Sequence, residues 1–269
     1  MEVLILIILA ILILFGEMFF EVNYPRITEV NFNTNKLPQG TSLKILQVSD
    51  VHGEDFTTNL LNQIKLKEPD IIVITGDLID RNTSNFNNAY KLVEELIMVT
   101  PHVFFVSGNH EWDNDRNVDF LLGLKKRHVL ILNNSNTTVG IKNTSINICG
   151  VDDFHTDHSD LGLAAKGINN KFFTVLLSHS PGIVEEKYLL GDLVLSGHTH
   201  GGQVRFPLIG GIVAPGQGLF PKLQKGIYNL EHGKKLYIDS GLGTSALPIR
   251  FLNRSQVSLI TIKGSSSVH

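Results

Sequence analysis

Apolar residues gather into short unbroken runs along this chain, and five of these runs stop on Asp, Asn or His. Ile71-Ile72-Val73-Ile74-Thr75 passes into Gly76-Asp77, with Asp80 one short turn later. Lys44–Ser49 ends in Asp50-Val51-His52, and His102–Ser107 ends in Gly108-Asn109-His110-Glu111. Phe173–Ser178 ends in His179, and Leu193–Ser196 ends in Gly197-His198-Thr199-His200. Continuous β-branched and apolar runs predict strands buried on both faces, as parallel sheets require. The residues just beyond such strands open into the crevice where open α/β sheets bind ligands.

Between these runs the period changes. Leu60, Leu61 and Ile64 step at helical spacing toward Lys67, with Thr57 or Thr58 as the cap and Pro69 as the stop. Asn87–Met98 repeats the pattern through Tyr90, Val93, Glu94 and Ile97. Strand–helix–strand spacing of this kind predicts βαβ units. A short helix is expected from Asp119 to Arg127. Strands near Val129–Leu132, Thr137–Lys142 and Ile146–Val151 follow as a run of hairpins around Asn-rich turns. Residues 153–170 read as a loop with room for a helix, Lys235–Asp239 and Ser258–Lys263 as closing strands, and 264–269 as a frayed tail. The pattern predicts an α/β fold: one domain over residues 43–263, two sheets packed face to face, helices outside.

Val3–Phe15 is apolar throughout, and accepting Glu17 at the interface extends the run to Phe20. That length suffices for a spanning helix, which needs ~20 residues. A cleaved signal peptide lacks its basic n-region and small-x-small site here, and a core helix lacks its polar face. Residues 1–20 are therefore expected to form an uncleaved single-pass membrane anchor, followed by a polar connector over 21–42 with Pro25, Pro38 and Gly40. Arg26, Lys36 and Lys44 all follow the run, which by the positive-inside rule favours a cytoplasmic domain, whereas a secretory start places it outside.

Composition narrows the partners. The 269 residues carry a net charge of −3 with Lys and Arg scattered, so no basic stripe for nucleic acid stands out. The lone Cys149 excludes an intramolecular disulfide and a cysteine-rich metal site, and suits a small apolar position in the 146–151 strand.

A lone Asp after a strand is more often a helix cap than a ligand. Five strand ends together make a different case. Asp50, His52, Asp77, Asn109, His179, His198 and His200 are all N and O donors, suited to Mn²⁺, Fe²⁺, Zn²⁺ or Co²⁺. Seven donors match two ions sharing a bridge: Asp50, His52, His200 and Asp77 on one, and Asp77, Asn109, His179 and His198 on the other. The i,i+2 steps of Asp50/His52 and His198/His200 keep both side chains on one side of an extended segment. Such a pair would hold a bridging hydroxide as nucleophile for in-line displacement at phosphorus. His110 is the candidate general acid and Asp80 the group that orients it. Arg81 either pairs with a phosphate oxygen or forms an exposed salt bridge, and Glu111 and Trp112 suit supporting or packing roles. His102, His128, His155, His158, His232 and His269 lack this context, although His155 and His158 are placed to line a cleft. The apolar Phe206–Phe220 stretch either meets lipid or packs as a core loop.

These segments resemble the calcineurin-like metallophosphoesterase superfamily, whose blocks D-x-H, G-D-x-x-D, G-N-H-[DE], an isolated His and G-H-x-H all occur here in order between Leu43 and Gln203. The resemblance implies a four-layer α/β/β/α sandwich of two mixed sheets, two divalent metal ions and a His110–Asp80 dyad. The anchor, Ser178-His179-Ser180-Pro181 and the stretch Ser240–Ser245 look most like small bacterial membrane-anchored members. Some of these cleave phosphodiesters and others the pyrophosphate of UDP-2,3-diacylglucosamine. The implied partners are a phosphate-ester or lipid-linked pyrophosphate substrate and the membrane. Protein Ser/Thr phosphatases share the second and third blocks but not the His198-Thr199-His200 ending. A catalytically silent metal-binding or scaffold module on the same fold is the competing function, and such modules show broken ligand sets.

Overall fold

The computed structural model describes residues 1–55, 58–244 and 247–266, so Thr57, Ser245 and His269 lie outside the described residues. The first half of the chain is α1 (Glu2–Asn23), β1 (Arg26–Thr34), β2 (Ser42–Val48), α2 (Thr58–Lys67), β3 (Ile71–Thr75), α3 (Asn87–Ile97), β4 (Val103–Val106), α4 (Asn109–Trp112), α5 (Asn117–Lys126) and β5 (Leu130–Ile131). Then come β6 (Ser135–Ile141), β7 (Thr144–Gly150), α6 (Leu161–Ala164), β8 (Phe173–Leu177) and β9 (Leu193–Ser196). Two small ribbons follow, β10 (Arg205–Phe206) with β11 (Gly210–Gly211) and β12 (Val213–Ala214) with β13 (Gly218–Leu219). The chain closes with β14 (Gly226–Asn229), β15 (Lys235–Ile238) and β16 (Gln256–Gly264).

Two six-stranded mixed sheets result, in the orders β1-β16-β2-β3-β4-β5 and β14-β15-β9-β8-β7-β6. Side-chain alternation assigns each strand's two faces to different layers. Ile71 and Val73 of β3, Phe104 and Val106 of β4, Val175 and Leu177 of β8, and Leu193 and Leu195 of β9 meet in one core between the sheets. Ile72, Ile74, Val103 and Phe105 face the other way, onto Leu60 and Ile64 of α2, Leu92 and Val93 of α3 and Phe120 of α5. Across the second sheet, Leu176, Val194, Leu236 and Ile238 pack with Ala164 of α6 and Ile183. The layers run helix, sheet, sheet, helix, as expected, and Cys149 lies buried in the third of these cores.

The sheets are tied together at the site end. Buried Gln47 of β2 donates through Nε2 to Thr75 Oγ1 at 3.0 Å within its own sheet and to Ser196 O of the second sheet at 2.9 Å. The carboxyl ends of β2, β3, β4, β8 and β9 thereby converge on one edge of the sandwich.

Three expectations need correction. Residues 26–34, expected within a connector, form β1, which pairs in parallel with β16 from Arg26↔Gln256 to Thr34↔Gly264 and so belongs to the domain's first sheet. Its polar face, Glu29, Asn31 and Asn33, hides a period of two whose other face buries Val30 and Phe32. The strand near Val129–Leu132 is not part of a hairpin run. β5 pairs in parallel with β4 in the first sheet, and of the three expected strands two, β6 and β7, form a hairpin, in the second. Gly264 likewise ends β16 rather than starting a tail.

α1 exposes nearly all of its apolar side chains and is long and apolar enough to cross a bilayer. Its last turn docks on the domain: Asn253 N donates to Glu21 Oε2 at 2.7 Å and Ser255 N to Glu21 O at 2.9 Å.

Phe105 is fully buried against Phe120 beneath α5. Phe105→Ala is expected to lower the unfolding free energy by about 3–5 kcal/mol, read from urea unfolding of the detergent-solubilised chain; a loss within error would mean that this layer does not carry the domain.

Candidate metal centre

Each strand end delivers its side chain through a tight backbone turn. Asp50, His52, Asp77, His198 and His200 all have φ between 47° and 69°. Non-glycine residues seldom hold that left-handed conformation, which costs of order 1–3 kcal/mol each and concentrates at functional sites. The turns are laced to one another: Val51 N and His52 N donate to Asp77 O at 2.7 and 2.9 Å, and Gly197 N donates to His179 O at 3.0 Å. Gly76, at φ 84°, has no room for a side chain, because a Cβ there would lie 2.7 Å from His179 Nδ1.

All seven expected donors come together, and they are buried or nearly so. Two groups share Asp77 between them. On one side His200 Nε2 lies 3.6 Å from Asp50 Oδ1 and 3.2 Å from His52 Nε2. On the other, His179 Nε2 lies 3.1 Å from Asp77 Oδ2, 3.2 Å from Asn109 Oδ1 and 3.0 Å from His198 Nδ1. Asp77 Oδ2 is also 4.0 Å from His52 Nε2, so one carboxylate reaches both clusters.

The donor chemistry fits divalent cations. His179 Nδ1 faces the carbonyl of Thr75 at 2.9 Å and therefore carries the ring hydrogen. Nε2 of a neutral His179 is then a lone pair aimed at two further oxygen acceptors and another imidazole nitrogen. Such a convergence of lone pairs calls for positive charge at its centre. Without metal that charge is a proton: burial works against it, but Asp77 and Asp50 outweigh burial and hold His179 well above the usual imidazole range. His52 and His198 are pushed down to about 4 and about 3, chiefly by burial, so both are neutral donors near pH 7. Burial lifts Asp50 to about 7, with the charge of Asp77 adding to it. Asp77 itself stays ionised, since the surrounding imidazoles overcome its own burial.

Glu111, expected only in a supporting or packing role, is the clamp beneath this arrangement. Its Oε1 accepts from Leu78 N at 2.7 Å and Ile79 N at 3.1 Å, and its Oε2 from Asp77 N and Gly108 N, both at 2.8 Å. Burial and Asp77 push its carboxyl upward, yet four N–H donors and no acceptor suit only the ionised form. Arg250, which sequence reasoning missed, is fully buried and donates to Ser240 O at 2.7 Å, Gly241 O at 3.1 Å and Asn253 O at 3.2 Å. Asn253 Nδ2 donates in turn to His200 O at 2.6 Å. Nothing in the local pattern around Arg250 marks it, because its partners are backbone carbonyls of its own β15–β16 loop, which have no side-chain signature.

His110 stands at the rim. Its Nδ1 is 3.0 Å from Asp80 Oδ2, and its Nε2 is 4.0 Å from Asp77 Oδ2 and 3.2 Å from Arg81 Nη2. Arg81 is exposed and pairs with Asp113 at 3.3 Å, so both roles foreseen for it remain open to its guanidinium. Of the other histidines, His155 adjoins the site, 5.2 Å from the His198 ring, and lines a cavity of about 360 Å³ with Ser180, Lys222 and Leu223. His158 stacks on Trp112 at 3.5 Å, and Trp112 Nε1 donates to Asp152 at 2.7 Å.

Residues 43–202 match the family model for calcineurin-like phosphoesterases, more than half of the chain. The chain belongs to that family. An uncharacterized metallophosphoesterase of Aquifex aeolicus is 33% identical to it over 264 residues, covering 92% of this chain and 95% of its own. A "transmembrane protein with metallophosphoesterase domain" of Danio rerio is 29% identical over 282 residues, covering 97% of this chain and 62% of its own. The 5'-nucleotidase precursor of Thermus thermophilus aligns over 75% of this chain and 49% of its own, at 16% identity and a TM-score of 0.48. Membership in this family makes the chain a metallophosphoesterase with a clustered His/Asp ligand set.

Metal loading should release protons, because ligands must be bare to bind. His179 gives up its proton throughout the neutral range. Asp50, at about 7, gives one up only below or near that pH. The yield, followed with an indicator dye, is therefore expected to fall between pH 6 and pH 9; a flat yield or none would contradict the assigned charges. Gly76→Ala is expected to abolish metal uptake while leaving the far-ultraviolet circular dichroism unchanged.

Proposed function

We infer that this metallophosphoesterase hydrolyses phosphodiester or pyrophosphate bonds at a site holding two divalent ions, with His110 as general acid. The observation that carries the reading is the 3.0 Å contact of His110 Nδ1 with Asp80 Oδ2 beside an unbroken donor set. Divalent cations bound there would polarise a phosphoryl oxygen and lower the pKa of water attached to them.

The protein's own part is positional. Asp80, 3.0 Å from His110 Nδ1, would take up an Nδ1–H in place of the Arg81 N–H that now points at that nitrogen at 3.3 Å, and so direct Nε2 toward the site, where a protonated Nε2 can meet the departing oxygen. The oxygen of a water that has given one proton to solvent bonds to phosphorus, the bond to the leaving oxygen breaks, and the proton of Nε2 ends on that oxygen. Arg81, now against Nε2 at 3.2 Å, would turn its guanidinium onto a phosphate oxygen and release the ring. His110 and His52 lie at one end of the cluster, with rings 4.6 Å apart, while His198 and the His155–Lys222 cavity lie at the other. A substrate with groups on both sides of phosphorus uses both ends, which favours a diester or pyrophosphate over a monoester. A silent scaffold finds no support in a donor set that keeps every member. We read α1 as a single-pass anchor, which makes a lipid-linked pyrophosphate an accessible substrate form.

His110→Ala, assayed in the Mn²⁺-loaded full chain, should keep its metal and lose roughly 10²–10⁴-fold in turnover on an alkyl phosphodiester. An aryl diester, whose leaving group needs no proton, should suffer far less. Equal losses on both, or full turnover on the alkyl ester, would remove His110 as the acid. A panel of monoesters, cyclic and linear diesters and nucleotide-sugar pyrophosphates tests the substrate class on the same sample.

A further inference from the structure

The Phe206–Phe220 stretch does not pack as a core loop. Phe206, Leu208, Ile209, Val213, Leu219 and Phe220 are all exposed, and Leu208 is fully so. Val213 and Leu219 sit directly opposite each other across the β12–β13 ribbon, where side chains share a face. Leu208 and Ile209 occupy the tip of the β10–β11 hairpin. Leu208 and Phe220 are held at φ 70° and 53°, an uncommon backbone state for bulky side chains and a pointer to function when it is observed.

This surface is continuous with the foot of α1. The Phe206 ring lies 6.0 Å from Phe251, and Phe251 is joined to the loop by Arg205 N→Phe251 O at 2.9 Å and Phe251 N→Gln203 O at 3.3 Å. The next residues are exposed Leu252, itself at φ 50°, then Asn253, which donates to Glu21, and Arg254, whose guanidinium lies 4.5 Å from the Phe20 ring. A handful of residues thus connects the loop to the last turn of the apolar helix.

Charge favours the same occupant. Between Leu193 and Leu230 the sequence has no Asp or Glu, while Arg205 and exposed Lys222 fall within it; beyond Asp239 there is again no acid, with Arg254 against the Phe20 ring and Arg250 buried. Exposed apolar tips with cations nearby and no carboxylate within their own stretch of sequence fit a segment seated in a bilayer interface with anionic headgroups, and the acids at the foot of α1 are exposed Glu17 and buried Glu21.

We propose that the 206–220 loop, with Leu252, seats the catalytic domain on the surface of the bilayer that α1 crosses, its apolar tips entering the headgroup–acyl boundary. The inference rests on the reading of α1 as an anchor but goes beyond it, since an anchor alone leaves the domain free to swing. The same loop supplies Pro215, Gly216 and Gln217 to the cavity beside His198, and Lys222 and Leu223 follow just after it. Seating therefore fixes one wall of that cavity against the membrane surface.

The test uses the full chain in phosphatidylcholine–phosphatidylglycerol vesicles, with a fluorophore on Leu208→Cys, Leu9→Cys or Leu130→Cys; native Cys149 is buried. Leu130 is an exposed residue of β5, at the sheet edge opposite β1. Nitroxide carried high on the lipid acyl chain should quench most of the Leu208 label and leave Leu130 bright, and Leu208→Asp with Phe220→Asp should lift quenching from a label at Val213→Cys. Quenching at Leu9 without quenching at Leu208 overturns the seating and spares the anchor. Quenching at neither means that α1 is not in the bilayer, and the proposal falls with it. A Leu208 label shielded from lipid nitroxide and aqueous iodide alike assigns the face to a second copy or another protein, and also overturns it.

Discussion

One carboxylate has to serve two clusters of imidazoles at once. Asp77 lies 3.1 Å from His179 and 4.0 Å from His52, and its own backbone carbonyl accepts from Val51 and His52. It is buried and ionised, a state that a protein interior tolerates only with compensating positive charge. Much of the surrounding structure serves this constraint. Glu111 fixes the turn that carries Asp77 through four N–H donors, and Gly76 gives His179 the space to approach. The left-handed backbone at five ligands is local strain retained because the two sheets over-determine it.

The sandwich supplies that over-determination. Its inter-sheet core is built from alternate residues of parallel strands whose other faces bury helices, so no strand can shift by one residue without exposing a full apolar set. Gln47 reaches across from β2 to Ser196 and holds the two carboxyl edges in register with each other. Candidate ligands from the ends of β2, β3 and β4 therefore meet those from β8 and β9 at a position set by the fold, not by any one loop.

Much of this was legible because the signal is local: an apolar run, a turn and a donor. The five strand ends that carry ligands, α3 and the helix beginning at Thr58 all fall where the periodicity places them. What escaped was non-local or disguised. β1 buries only two apolar residues, Val30 and Phe32, with Ile27 partly buried, among Glu and Asn, and Pro25 nearby reads as loop punctuation. β5 contributes two residues to the first sheet, and no local pattern tells a strand which sheet to join. Glu111 fills the supporting role expected of it, but its partners, the amides of Gly108, Asp77, Leu78 and Ile79, have no side-chain signature, and Arg250 was hidden for the same reason. The exposure of the 206–220 loop could not be read either, since an apolar, glycine-rich stretch looks alike whether it faces core or lipid.

The pairing of the two clusters through Asp77 is tested most directly by electron paramagnetic resonance of the Mn²⁺-loaded chain, with elemental analysis of the same sample. Two ions sharing a carboxylate should give an exchange-coupled spectrum at about two Mn²⁺ per chain. The spectrum of isolated Mn²⁺, at one ion per chain or at two, would contradict the shared bridge.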